Sequence, residues 1–337
     1  MKRFLLFLFF FFLFISGIFY TTFHTTIVSQ WLIKRLLSKN LPDYKVQTLT
    51  IRSQDFHFPR NLKLNDFELI LKTKSDRFEL NSRQIALDWF KNFVRAPRDV
   101  QFVVQDFNLK SANINLKSLE LDTEIHFGNG TIQNLSGRMK SADVDLYSLK
   151  MTDIATQLEG GVDILKFKNF IAHGYAGQIQ GEIVVRYHPD VTFALNMKLD
   201  GLDLKKLQQF NQSIFSNLEG ELYGNIQIKG NPKELKSLDV NVKVIKEGKV
   251  RASMLRFFMS YLPNTQEKVE LESLIKNNGK LPFEHATFKL ISVDQHNLSG
   301  LLEMSSKTIN LNLNMPVDIK IDGTWDSLIQ WWQNLPK

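Results

Sequence analysis

The segment Ile309–Ile321 reads INLNLNMPVDIKI. Ile309, Leu311, Leu313, Met315, Val317, Ile319 and Ile321 take every odd position, and Asn310, Asn312, Asn314, Pro316, Asp318 and Lys320 take every even one. Successive side chains of a β-strand point to opposite faces of its sheet, so this period of two collects the apolar groups on one face and the polar groups on the other. Pro316 has no N–H to give to a ladder, which confines it to a sheet edge or a bend.

The same rhythm runs back along the chain. Leu238, Val240, Val242 and Val244 alternate with Asp239, Asn241 and Lys243, and Phe193, Leu195, Met197 and Leu199 alternate likewise. Leu62 and Leu64 are followed by Phe67, Leu69 and Leu71, with an offset at Asn65–Asp66 that marks a bulge or a turn. Phe107 and Leu109 keep the rhythm, and Ile114 and Leu116 resume it after another offset. Turn chemistry falls between the runs at Asn129–Gly130, Gly160–Gly161, His188–Pro189–Asp190, Glu247–Gly248 and Asn278–Gly279. The spacing predicts a mainly β fold, a meandering antiparallel sheet of short strands rather than βαβ units.

Three helical interruptions are predicted. Asp203 caps a helix carrying Leu204, Leu207, Phe210 and Ile214. Arg251–Leu262 is apolar almost all round, and its Phe257 and Phe258 either gate a cavity or pack in the core. The tail from residue 324 to 337 forms a Trp-rich helix that caps the sheet, meets a membrane interface or binds a partner.

The N-terminus is of another kind. After Lys2 and Arg3 an apolar run extends from Phe4 to Phe23, with Phe4, Leu5, Leu8, Phe12, Ile15 and Phe19 among its residues. Twenty residues at ~1.5 Å each match the ~30 Å of a bilayer core. No small-x-small cleavage site follows Gly17, so the run reads as an uncleaved single-pass anchor over residues 1–23. Lys2 and Arg3 hold its start on the cytoplasmic side and the rest of the chain is exported. A juxtamembrane helix follows within residues 24–45, with Leu32, Ile33, Leu36 and Leu37 on one side and Lys34, Arg35 and Ser38 on another. It lies on the outer leaflet or docks on the first strands. Residues 46–323 then form the β domain.

Composition narrows the function. The 337 residues contain no cysteine, which excludes disulfides and thiolate chemistry. The net charge of +7 is spread thinly, without the basic patch of a nucleic-acid binder. Histidines 24, 57, 126, 173, 188, 285 and 296 show no metal-ligand spacing, and no nucleophile elbow, P-loop or dinucleotide fingerprint is present. Asp143 and Asp145 share a strand face and read as a solvated edge. Neither catalysis nor a cofactor is expected.

The stretches GQIQGEIVVRY (177–187), FALNMKLDGLDLKKLQQF (193–210) and NLEGELYGNIQIKGNP (217–232) resemble the AsmA-like family of bacterial envelope proteins, the group of AsmA, TamB and YdbH. Gly220, Leu222, Gly224, Ile226, Ile228 and Gly230 fall on that family's glycine-spaced strand, and the opening with NLKLNDFELIL (61–71) is similar in style. The resemblance implies a long, curved sheet forming a taco-like apolar groove, anchored in the bacterial inner membrane and lying in the periplasm. It implies phospholipid as ligand, with other envelope proteins as further partners and a part in outer-membrane biogenesis. The groove would then be lined by Phe193, Leu195, Met197, Leu222, Ile226, Ile228, Val240, Val242, Val244 and the odd positions Ile309 to Ile319. A second reading is an assembly protein similar in layout to type II secretion protein N, with a closed β-sandwich and protein partners.

Overall fold

A computed structural model of the chain describes residues 26–57, 61–74, 76–89, 99–128, 131–146, 149–209, 217–252, 255–256, 259, 264–307 and 311–325. Helix α1 (Thr26–Asn40) leads into seven strands: β1 (Lys45–His57), β2 (Asn61–Lys72), β3 (Arg77–Trp89), β4 (Asp99–Lys110), β5 (Ile114–Gly128), β6 (Thr131–Leu146) and β7 (Leu149–Gly161). Then come β8 (Ile164–Gly174), β9 (Gly177–Arg186), β10 (Thr192–Asp203), β11 (Leu218–Gly230) and β12 (Leu235–Arg251). Helix α2 (Gln266–Lys276) precedes β13 (Lys280–Ser292), β14 (Asn297–Ser306) and β15 (Leu311–Lys320). The fifteen strands stand in sheet order as in chain order. Neighbours within β1–β7 and within β9–β15 pair antiparallel, the expected meander.

The helix predicted from Asp203 starts otherwise, and most of the one predicted over Arg251–Leu262 lies outside the described residues. Strand β10 runs through Asp203, and only a short 3-10 turn at Lys206–Gln209 follows before residue 210 leaves the described part. Strand β12 extends to Arg251 through Glu247–Gly248, so that pair is a register shift inside a strand and not a turn. Asn278–Gly279 closes α2, with Asn278 N–H donating to Ile275 O and Gly279 N–H to Leu274 O. Phe257, Phe258, Trp331, Trp332 and the anchor residues Phe4, Leu5, Leu8, Phe12, Ile15 and Phe19 lie outside the described residues. No described helix is long and apolar enough to cross a membrane.

The chain divides into two compact units, residues 1–169 and 170–337. In the first, the apolar face is sealed over β1–β4. Leu62, Leu64, Phe67, Leu69 and Leu71 of β2 are at most 1% exposed, and Ile33, Leu37 and Leu41 from α1 and its end join their cluster at 2%. Burying an aliphatic side chain of this size stabilises by roughly 1.5–3 kcal/mol, so α1 is a lid held by its own apolar edge. Ser29, also buried, donates to Gln54 Oε1 of β1 at 2.5 Å and fixes its register along that strand. Towards β5–β8 the cover thins, and Ile114, Leu116, Leu119, Leu121, Met139, Leu165 and Phe167 are only partly buried against the same core.

A transverse crease crosses this unit. Inward positions along β2 step from Leu64 to Phe67 rather than by two, and the step is made by Asp66 in the left-handed region at φ 48°. Strict alternation would turn Phe67, Leu69 and Leu71 into water; the left-handed residue turns them back. The slip recurs between Val104 and Phe107 on β4 with Asp106 at φ 48°, and between Met151 and Ile154 on β7 with Asp153 at φ 50°. On β5 it falls between Leu116 and Leu119 with Ser118 at φ 50°. The slips lie level: Ser53 pairs Asn65 and Ile51 pairs Phe67, and further on Phe107 pairs Leu119 and Ser141 pairs Ile154. Buried hydroxyls serve the carbonyls there, Ser82 donating to Gln84 O and Gln105 O, and Ser141 to Lys117 O.

Candidate functional site

The second unit builds its apolar face from consecutive antiparallel registers. Phe193 and Leu195 of β10 stand opposite Val185 and Ile183 of β9, and opposite Gly230 and Ile228 of β11. Met197 pairs Ile226, Ile226 pairs Val240, and Val240 pairs Leu290. One step along, Gly224 pairs Val242, Val242 pairs Phe288, and Phe288 pairs Leu302. Leu222 pairs Val244. Directly paired residues point to the same face, so these positions form one apolar strip across β9–β14. On β15, Leu311, Leu313, Met315, Val317 and Ile319 register opposite Ser306, Met304, Leu302, Gly300 and Leu298. Ile309 lies outside the described residues.

Burial along the strip is uneven. Met197, Val244 and Ile319 are buried, whereas Phe193, Leu195, Leu222, Ile226, Ile228, Val240 and Val242 are half-buried, as are Ile179, Ile183 and Val185 on β9. Met197 sinks because Gly181 beneath it has no side chain; a Cβ there would stand 2.7 Å from Met197 Sδ. Gly224, at φ +150°, lies so close to β12 that a Cβ would meet Asn241 O at 2.1 Å. The two glycines lower the floor of the strip between rows of branched side chains.

The ends of the strip are closed. At one end Leu235, Leu238, Leu290, Leu298, Ile319 and Ile321 form a buried cluster against which Trp325 packs. The Trp325 ring stacks on Phe193 with centroids 5.6 Å apart and planes 27° apart, and its Nε1–H donates to Asn231 O at 2.8 Å. Gly230 is its seat: a Cβ there would lie 2.8 Å from the indole. Towards the other end Leu202, Leu204, Leu207, Leu271, Leu281 and Phe283 are buried, and the Phe283 ring lies over Gly248. Beside that end Lys280 donates to Glu219 and holds its carboxyl below the usual range.

Every inward position named on β9–β13 is apolar or glycine, and on β14 the hydroxyl of Ser306 is spent on Pro282 O at 2.6 Å, so these positions offer no cluster of proton donors, nucleophiles or metal ligands. Such a surface binds by excluding water from apolar groups and by nothing else. The polar candidates lie elsewhere. His126 contacts Asp99, His285 Nδ1 lies 2.9 Å from Ser305 Oγ, and Asp143 is 3.7 Å from Lys117 Nζ, all in exposed positions. Ile179, Ile183, Val185, Phe288 and Leu302 were missed as lining positions although their alternation is plain; Gly181 and Gly300 interrupt their runs on the inward side. Comparisons of the chain with protein families, with curated proteins and with solved structures find no match.

Proposed function

We propose that the chain is a membrane-anchored envelope protein that carries phospholipid acyl chains on the apolar strip of its second unit. It would be fixed in the bacterial inner membrane by residues 1–23, with its sheet in the periplasm, and would take part in lipid transport towards the outer membrane as the AsmA-like resemblance implies. The observation that carries this is a contrast in burial. Over β1–β4 the first unit buries its apolar face to a few per cent, while inward positions on β9–β12 such as Ile226, Val240 and Val242 stay half-buried between closed ends. A sequence able to seal one face and leaving another wet has a use for the second, since apolar area left in water forgoes about 25 cal/mol per Å². An acyl chain laid along it is shielded at ~0.8 kcal/mol per CH₂. Carriage of this kind is passive: it needs no catalytic residue, and its direction comes from a gradient or another machine.

The test uses the full chain in cells, with a photoreactive amino acid placed at Ile226 or at its exposed neighbour Asn225. After illumination, a phospholipid mass added covalently at position 226 and not at 225 is the expected result. Equal labelling at both, or none at either, would overturn the proposal.

A further inference from the structure

Helix α1 has a second face that its packing does not use. Ile33 and Leu37 go into the core of the first unit, but Trp31, Lys34, Arg35, Ser38 and Lys39 are exposed. At ~100° per residue these five fall within an arc of about 140°, turned away from Ile33 and Leu37. Trp31 is 52% exposed, and the Arg35 guanidinium lies 5.2 Å from its ring centroid. The helix TIVSQWLIKRLLSKN has no acidic residue. A lid needs only its inner side; a tryptophan in water beside three cations, with no counter-charge on the helix, is surplus to that task. Tryptophan favours half-wet boundaries, and lysine and arginine favour anionic headgroups.

Chain length places this face. The apolar run ends at Phe23 and α1 begins at Thr26. Three residues reach at most about 10 Å, and the headgroup layer on each side of a bilayer is about 5–8 Å thick. If the run spans a membrane, α1 therefore starts in or beside the headgroups.

We propose that the outer face of α1 is a membrane-contact surface for anionic phospholipid headgroups, with Lys34, Arg35 and Lys39 as the binding charges and Trp31 at the interface. The first unit is then clamped to the leaflet by the helix that seals its core. This rests on the anchor proposed above.

The full chain contains no cysteine, so one introduced at Ser38 is a unique site for a polarity-sensitive fluorophore. The labelled protein is reconstituted into nanodiscs of anionic or of zwitterionic phospholipid, with Ser136→Cys on an exposed position of β6 as the water-facing reference. Emission from position 38 should shift to the blue in anionic discs only. The shift should be lost in about 1 M salt, where the Debye length falls to ~3 Å, and in the Lys34→Glu/Arg35→Glu/Lys39→Glu variant. Circular dichroism and thermal unfolding must show that variant still folded; Lys34→Gln/Arg35→Gln serves if it is not. A chain that enters both kinds of disc with position 38 as wet as position 136 overturns this inference and leaves the anchor standing. A chain that enters neither overturns both.

Discussion

Asp66, Asp106, Ser118 and Asp153 carry the crease of the first unit in left-handed backbone. In left-handed backbone any Cβ crowds its own carbonyl, at roughly 1–2 kcal/mol per residue; Asp and Asn offset this with a short polar side chain that bonds locally, Gly avoids it, and a β-branched side chain does neither. Asp66→Val should lower the thermal midpoint measurably and Asp66→Gly should leave it nearly unchanged, although both abolish the 3.5 Å contact with Arg52. Equal losses would mean that the ion pair and not the backbone matters. The offset at Asn65–Asp66 was legible because two apolar runs changed phase across it. That the offsets align from strand to strand was not legible, since register between strands is absent from a single sequence. At Gly230 the constraint is steric: Gly230→Val should unseat Trp325, seen as a red shift of its fluorescence with loss of the Phe193 stack. An unchanged spectrum would show the ring to be held by Asn231 O alone.

Among the elements, α1 and β15 were read most nearly as they are. The amphipathic pattern from Ile27 to Lys39 became a helix over Thr26–Asn40, and its docking was decided by Ile33 and Leu37 meeting β1–β4, which no local signal could settle. Leu37→Ala should destabilise by about 2–5 kcal/mol, as for other large-to-small changes in sealed cores. Hydrogen exchange should rise first in β1 and β2; loss confined to α1 would show that the helix is not part of the cooperative core. Strand β15 is last in sheet order, the edge that Pro316 required. Opposite Leu301, the proline stands at the middle of this last strand and lacks the N–H that another strand would need for a ladder. Pro316→Thr restores that donor, and concentration-dependent self-association by light scattering is the expected outcome. A monomer at all concentrations would mean the edge is covered otherwise. Helix α2 was missed because QEKVELESLIK has five charged residues among its eleven, buries only Leu271, and carries little apolar period to detect.

Across the whole molecule, the two units answer the same pattern differently. Both alternate apolar with polar positions, so from sequence alone their faces look equivalent. The difference is what covers them. Leu69 is 0% exposed within a cluster that includes α1, while Val242, equally apolar and equally alternating, is half-buried beside Gly224 and Phe288. An aspartate separates the two cases. At Leu69 it must be desolvated or protonated without a partner, at a cost of several kcal/mol against a typical domain stability of about 5–15 kcal/mol, so Leu69→Asp should unfold the first unit. At Val242 the carboxylate reaches water over the open strip, so Val242→Asp should fold with its thermal midpoint little changed. It should nonetheless lose phospholipid photocrosslinking from Ile226, because an acyl chain laid across it would bury a charge. If Val242→Asp unfolds as Leu69→Asp does, the strip is a closed core and carries no lipid; if it folds and still crosslinks, the chain runs along another face.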